Sequence, residues 1–250
     1  VWAKNIGLPD NHYGHSSSLM IFQDKLLVQY DTNEQKNLLA FNVLNGMQVY
    51  ASPRNDVTIS WASPILVDTG HRYEVILNSA PFVISYDPAT GQELWRVDCM
   101  DGEVGPSVAY ADGMVYAANE FAMLAGIAIG SDAKIIWEYE DDLPEASSPV
   151  AGNDLVFVAA TYGTVTCFDG KTGQVYWVHK FDHGFYSSPI IAREYVFLTD
   201  RKGITLVFHA AKEFELVASN ELGEESDTTP AFMHGKIYLR GNTHLFCIGD

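Results

Sequence analysis

Tyr86-Asp87-Pro88-Ala89-Thr90-Gly91-Gln92-Glu93-Leu94-Trp95 and Phe168-Asp169-Gly170-Lys171-Thr172-Gly173-Gln174-Val175-Tyr176-Trp177 share one order: an aromatic, an Asp, a turn, a Gly and a Trp. In both, an apolar run ends in residues that favour tight turns and a second apolar run follows. Weaker copies stand at Gly46-x-x-x-Tyr50 and Ala133-x-x-x-Trp137. A second marker runs in phase. Ser63-Pro64, Ser148-Pro149, Ser188-Pro189 and Thr229-Pro230 each open an apolar run, Gly105-Pro106 is a looser copy, and Ser18-Leu19 lacks the proline. Two independent markers at a common period of roughly 40 to 45 residues identify internal repeats.

One unit shows the pattern. Ser148 to Gly152, Leu155 to Ala160, Thr164 to Phe168 and Val175 to Lys180 read as strands rich in β-branched and aromatic residues. Asn153-Asp154, Tyr162-Gly163 and the Asp169 to Gly173 run supply the turns. No window keeps a helical apolar period; Ala122 to Ile129 comes nearest and sits where a strand belongs. Four antiparallel strands per unit predict an all-β propeller blade. The small residue before each proline opens the innermost strand, where chains crowd round an axis. The Trp on the outermost strand wedges between blades.

Residues 1–250 therefore read as a single propeller domain of six blades. The last unit, Asp227 to Asp250, holds three strands, and Val1-Trp2-Ala3-Lys4-Asn5-Ile6 reads as an isolated fourth with Trp2 in the marker position. The expectation is a sixth blade closed by both termini, which removes an exposed edge. The rival is the C-terminal portion of an eight-bladed ring.

The repeat resembles the PQQ-like β-propeller family through its Asp-x-x-Thr-Gly-x-x-x-Trp motif, matched at Asp87 to Trp95 and Asp169 to Trp177, and through its Ser-Ser-Pro strand starts. The resemblance implies one of two branches. Quinoprotein dehydrogenases hold PQQ and usually Ca²⁺ on eight blades, and many carry adjacent cysteines; this chain has only Cys99, Cys167 and Cys247, far apart. The other branch contains propeller scaffolds of bacterial outer-membrane barrel assembly and secreted relatives without a known reaction. The chain is more similar to the second, which implies a periplasmic or extracellular bacterial protein.

Composition narrows the partners. A net charge of −17 argues against nucleic acid and anionic membrane surfaces. No apolar run reaches the roughly 18 residues of a membrane span. The 47% hydrophobic and 12% aromatic content can bury a core, which argues against disorder. Without a CxxC, no zinc knuckle or redox pair is expected.

Propeller ligands commonly sit at the axial mouth, among loops from one outer strand to the next inner strand. Here these are about 7–15, 53–58, 99–104, 140–146, 182–186 and 220–227. They hold 13 of the 32 acids, among them Asp101, Glu140, Asp141, Asp142, Glu145, Asp182, Glu224 and Glu225, against one base, Arg54. His15, Trp61, Glu103, Tyr186 and Asp227 are expected at the mouth, where Trp61 beside Tyr186 would stack on a planar ligand. Asp10, His12, His15, Asp182 and His183 are conceivable metal ligands, but they come from non-adjacent loops, so no metal site is assigned. No nucleophile elbow, zincin motif or phosphate loop supports a catalytic residue. The reading is a monomeric, non-enzymatic scaffold that binds a protein or small molecule through an acidic loop face, with no cofactor. The alternatives are a PQQ- and Ca²⁺-dependent oxidoreductase and a sugar-active lyase or hydrolase.

Overall fold

Each repeat folds into one antiparallel sheet whose strands lie in chain order. The computed structural model describes residues 1–130 and 132–249. Five sheets have four strands and one has three, and no helix occurs among the described residues. Blade 1 runs from Met20 to Pro53, blade 2 from Ile65 to Asp98 and blade 3 from Ala109 to Tyr139. Blade 4 runs from Val150 to Lys180, blade 5 from Ile190 to Glu221 and blade 6 from Ala231 to Ile248. In blade 4 the strands are Val150–Gly152, Leu155–Ala159, Thr164–Asp169 and Val175–Lys180, within two residues of the sequence reading. The helix-like stretch of blade 3 is strand Leu124–Ala128.

The motif residues earn their places in the turn before each outer strand. Asp169 Oδ1 accepts from the amides of Lys171 and Thr172 and from the Thr172 hydroxyl, at 2.9 to 3.0 Å. Gly173 closes the turn at φ +72, and a Cβ there would lie 2.6 Å from the Trp137 ring. Glycine is thus required twice, by the left-handed backbone and by the indole of the preceding blade. The Trp137 ring N–H donates to Gly170 O at 2.9 Å. Trp177 repeats this one blade on, donating to Ala211 O at 3.0 Å. Trp95 departs: its N–H goes to the buried Glu74 carboxylate of its own blade at 2.7 Å, and blade 3 has no Asp-x-x-Thr-Gly turn to receive it.

At the axis the small residues form a chain of hydrogen bonds. The amide of Ser18 donates to Ser63 Oγ, Ser63 to Ser107, Ser107 to Ser148, Ser148 to Ser188, and Ser188 to Thr229, each at 2.8 or 2.9 Å. Each hydroxyl thus satisfies an amide one or two residues before the neighbouring inner strand, so Ser or Thr is chosen for its acceptor as well as its size. Ser107 is therefore the equivalent residue in blade 3, which moves the expected Gly105-Pro106 copy by two positions.

Apolar side chains on facing sheets form the core at four successive junctions, between blades 1 and 2, 2 and 3, 3 and 4, and 4 and 5. Alternate faces of fully buried strands such as Leu155–Ala159 feed the two flanking junctions. Burial raises the thiols of Cys99 and Cys167 to about 12, so both behave as small apolar groups.

The expected closure of blade 6 by both termini is corrected. Its strands are Ala231–Met233, Lys236–Arg240 and Leu245–Ile248, and among the described residues no N-terminal strand pairs with the last. Asp250, the end of that unit, lies outside the described residues. The marker role of Trp2 holds: its ring N–H donates to Val43 O of blade 1 at 2.8 Å, and Gly46 leaves room for its ring. That is the seat Trp137 takes on Gly173. The indole's preference for a Gly-bearing turn and a free carbonyl places Trp2.

Candidate functional site

Because the strands run in order, two sets of connections share one face: the loops entering each inner strand and the turns joining second to third strands. Contacts between the sets confirm this. Asn119, in a turn of blade 3, donates to Asp101 O in an entry loop at 2.7 Å. Arg201, in a turn of blade 5, donates from Nε to Asp227 at 3.1 Å, and Lys202 beside it reaches Glu225 at 2.6 Å.

The expected mouth residues fall into two groups. Trp61 donates its ring N–H to Gly14 O at 2.9 Å and lies 5.3 Å from both the His12 and Tyr13 rings, measured between centroids. His12 in turn pairs with Glu103 at 2.7 Å, both half exposed. His15 lies behind them against Tyr30, where burial lowers its pKa against the opposing pull of Asp31. In the second group, the Tyr186 hydroxyl donates to Glu145 at 3.2 Å, and the Arg201 guanidinium lies over its ring at 4.1 Å. Trp61 and Tyr186 belong to separate groups, each with its own packing partners.

Arg54, expected as the one base among these loops, is 1% exposed. Its Nε donates to Asp31 at 3.0 Å, and its terminal nitrogens donate to Tyr86 OH and Ser79 Oγ at 2.9 and 2.7 Å. Burial works against its charge, and Asp31 with Tyr86 more than offsets that. It braces blades 1 and 2 and presents nothing to solvent. Cations reach the face from Lys180, which donates to Tyr162 O, from Arg96, which pairs with Asp56, and from Arg201 and Lys202 of the blade 5 turn, which the sequence reading left as a plain hairpin.

These cations divide the acids. Over blades 5 and 6, Asp227 and Glu225 are paired, and with Asp182 and His183 they line a cleft of about 410 Å³. Glu224 accepts from Thr243 and from His244, contacts that hold its carboxyl near 2, chiefly through the Thr243 hydroxyl. Over blades 3 and 4, none of Asp101, Glu120, Glu140, Asp141, Asp142 and Glu145 has an ion-pair partner among the described residues. Glu120 registers that field: partial burial and the neighbouring Glu145 raise its pKa.

The same quarter carries two side chains that sequence reasoning missed. Phe121 and Tyr162 cap adjacent turns of blades 3 and 4 and are 67% and 70% exposed. Gly102 backs Phe121 so closely that a Cβ would lie 3.0 Å from it. The available signal was an aromatic at a turn tip where blade 5 places Lys202.

Among the described residues no three His, Cys, Asp or Glu side chains are grouped to hold a metal ion. Trp61 and Tyr186, expected to stack together on a planar ligand, lie in separate groups, and Arg201 is bonded to Asp227.

Fold and repeat define a β-propeller of PQQ-like units. The family model described as Outer membrane protein assembly factor BamB matches residues 79–142 and 134–215, more than half of the sequence, and the chain belongs to that family. Outer membrane protein assembly factor BamB of Burkholderia pseudomallei is 30% identical over 95 residues, which are 38% of this chain and 24% of that protein. Among solved structures, BamB from Moraxella catarrhalis superposes with a TM-score of 0.73 at 18% identity, covering 94% of this chain and 69% of that one. Sqt1 of Saccharomyces cerevisiae superposes at 0.65 with 12% identity, covering 90% and 68%. The match to the Burkholderia protein thus spans about a quarter of its length, and the two structural likenesses establish the fold.

Proposed function

We propose that the chain is a non-enzymatic protein-interaction scaffold, working in the bacterial periplasm as an outer-membrane assembly factor does, and that it meets its partner with the loop face over blades 3 and 4. The observation that carries this reading is the exposure of Phe121 and Tyr162 on neighbouring blades whose loop acids, Asp101, Glu120 and Glu145 among them, have no ion-pair partner among the described residues. Exposed aromatics at the centre of a patch are the residues that dominate protein interfaces. The surrounding acids steer a basic partner and set salt dependence. Family membership supports the scaffold role, and no helix of the structure is long and apolar enough to cross a membrane.

Site-specific crosslinking tests it. A photoreactive phenylalanine replacing Phe121 or Tyr162 should trap one discrete protein partner in cells. The same group at Ile136, exposed on the outer strand of blade 3, should trap none. Equal trapping at all three positions would contradict the assignment.

A further inference from the structure

The complete blades share a fixed place on the outer strand, and blade 5 breaks its rule. Tyr50 stands opposite Ala40, Trp95 opposite Ser85, Trp137 opposite Gly126 and Trp177 opposite Cys167, each where the third strand is about to bulge. Blade 5 has the same bulge between Val207 and Phe208, and the residue opposite Val207 is Ala218. The large ring is missing from that position.

The junction of blades 4 and 5 shows what the ring does. Trp177 lies 5.9 Å from Phe157 of its own blade and 5.8 Å from Phe208 of the next, between centroids. Strand register identifies the corresponding residues one junction later as Phe197 and Ile248. There the space holds an open cleft of about 250 Å³ between Phe197, Thr205, Val207, Ile237, Leu239 and Ile248, with Ile248 itself 49% exposed and Val207 standing between the cleft and Ala218. Val207 is larger than the Ala, Ser, Gly or Cys at its place in the other blades, and it recovers only part of the indole's volume. The blades do not slide together to fill the rest, because the Ser188 amide is tied to Thr229 Oγ1 across this junction at 2.8 Å.

We propose that this cleft binds a free, uncharged aromatic molecule of about one indole's size, its ring taking the place that Trp177 holds one junction earlier. An apolar cavity of roughly this scale takes up an aromatic ring because the ring restores contacts that the lining atoms otherwise lack. The apolar lining and the Glu221 carboxylate at the rim disfavour an anionic ring. Asn220 and Glu221 stand at the rim on the loop-face side. The site lies between blades 5 and 6 and reaches the loop face at Asn220, Glu221 and Leu222, away from Phe121 and Tyr162.

Titration of the intact chain with indole tests it, by calorimetry and by the shift of the unfolding temperature. The expected result is saturable one-site binding with a rise in Tm, and at least tenfold weaker binding of indole-3-carboxylate. Ala218→Trp should raise Tm without ligand and weaken indole binding at least tenfold, while Ala218→Ser keeps it. Should Ala218→Trp not fold, Val207→Phe fills the space from the facing strand and is expected to give the same loss. No saturable indole binding to the unmodified chain, or unchanged affinity in the filled variant, would overturn the proposal.

Discussion

Asp31 and Arg54 face each other 3.0 Å apart inside the junction of blades 1 and 2, both side chains fully withdrawn from water. Ser79 bridges them, donating to Asp31 at 2.8 Å while accepting from Arg54, and Gln29 adds a further donor to Asp31 at 2.8 Å. The pair costs desolvation, so its presence is a poor index of net stability, but removing one partner strands the other. Asp31→Ala should therefore destabilise the chain by about 3–5 kcal/mol. Denaturant unfolding measures this. A loss below that of an ordinary surface substitution would show that water reaches the guanidinium.

The hydrogen-bonded chain round the axis predicts a contrast between two small changes. Ser188→Ala removes the acceptor for the Ser148 amide and should cost about 1 kcal/mol, the net worth of one such bond. Ser188→Thr should be nearly neutral, because Thr229 already plays this part in blade 6. Equal losses from both would mean that packing volume sets the requirement.

Glu120 gives the acid field a pH signature. Its folded pKa lies above the ordinary 4.5, first through desolvation and then through Glu145. The folded state therefore favours the protonated form. The stabilisation this gives is complete below 4.5 and is lost as pH rises through the folded value. Glu120→Gln should raise Tm at neutral pH and flatten the decline that begins near 4.5. An unchanged Tm profile would show the carboxylate to be fully solvated.

Much of the fold was legible because the repeat punctuates it. The Val175 to Lys180 strand is found where the Gly173 turn and the apolar alternation place it. The register in blade 3 was not legible, since Pro106 imitates the marker while Ser107 makes the bond. Trp2 was read correctly as a marker, and its indole meets the turn of the next blade at Gly46 as Trp137 meets Gly173, but the expected pairing of its segment with the last strand of blade 6 is absent among the described residues. At the candidate site, loop membership suggested that Arg54 is exposed, and only tertiary packing shows it buried between Asp31 and Tyr86. Phe121 and Tyr162 escaped because turn tips vary freely, and nothing in a single sequence separates an exposed aromatic from a buried one.

The most direct measurement of the central claim is the affinity of the crosslinked partner for the unmodified chain, for Phe121→Ala with Tyr162→Ala, and for Glu120→Gln with Glu145→Gln, each at low and high salt. The account predicts that the aromatic pair costs about 2 kcal/mol or more at either salt, as hot-spot residues do. It predicts that the acidic pair weakens binding mainly at low salt, where screening is least. Binding that is indifferent to both pairs would contradict the assignment of this face.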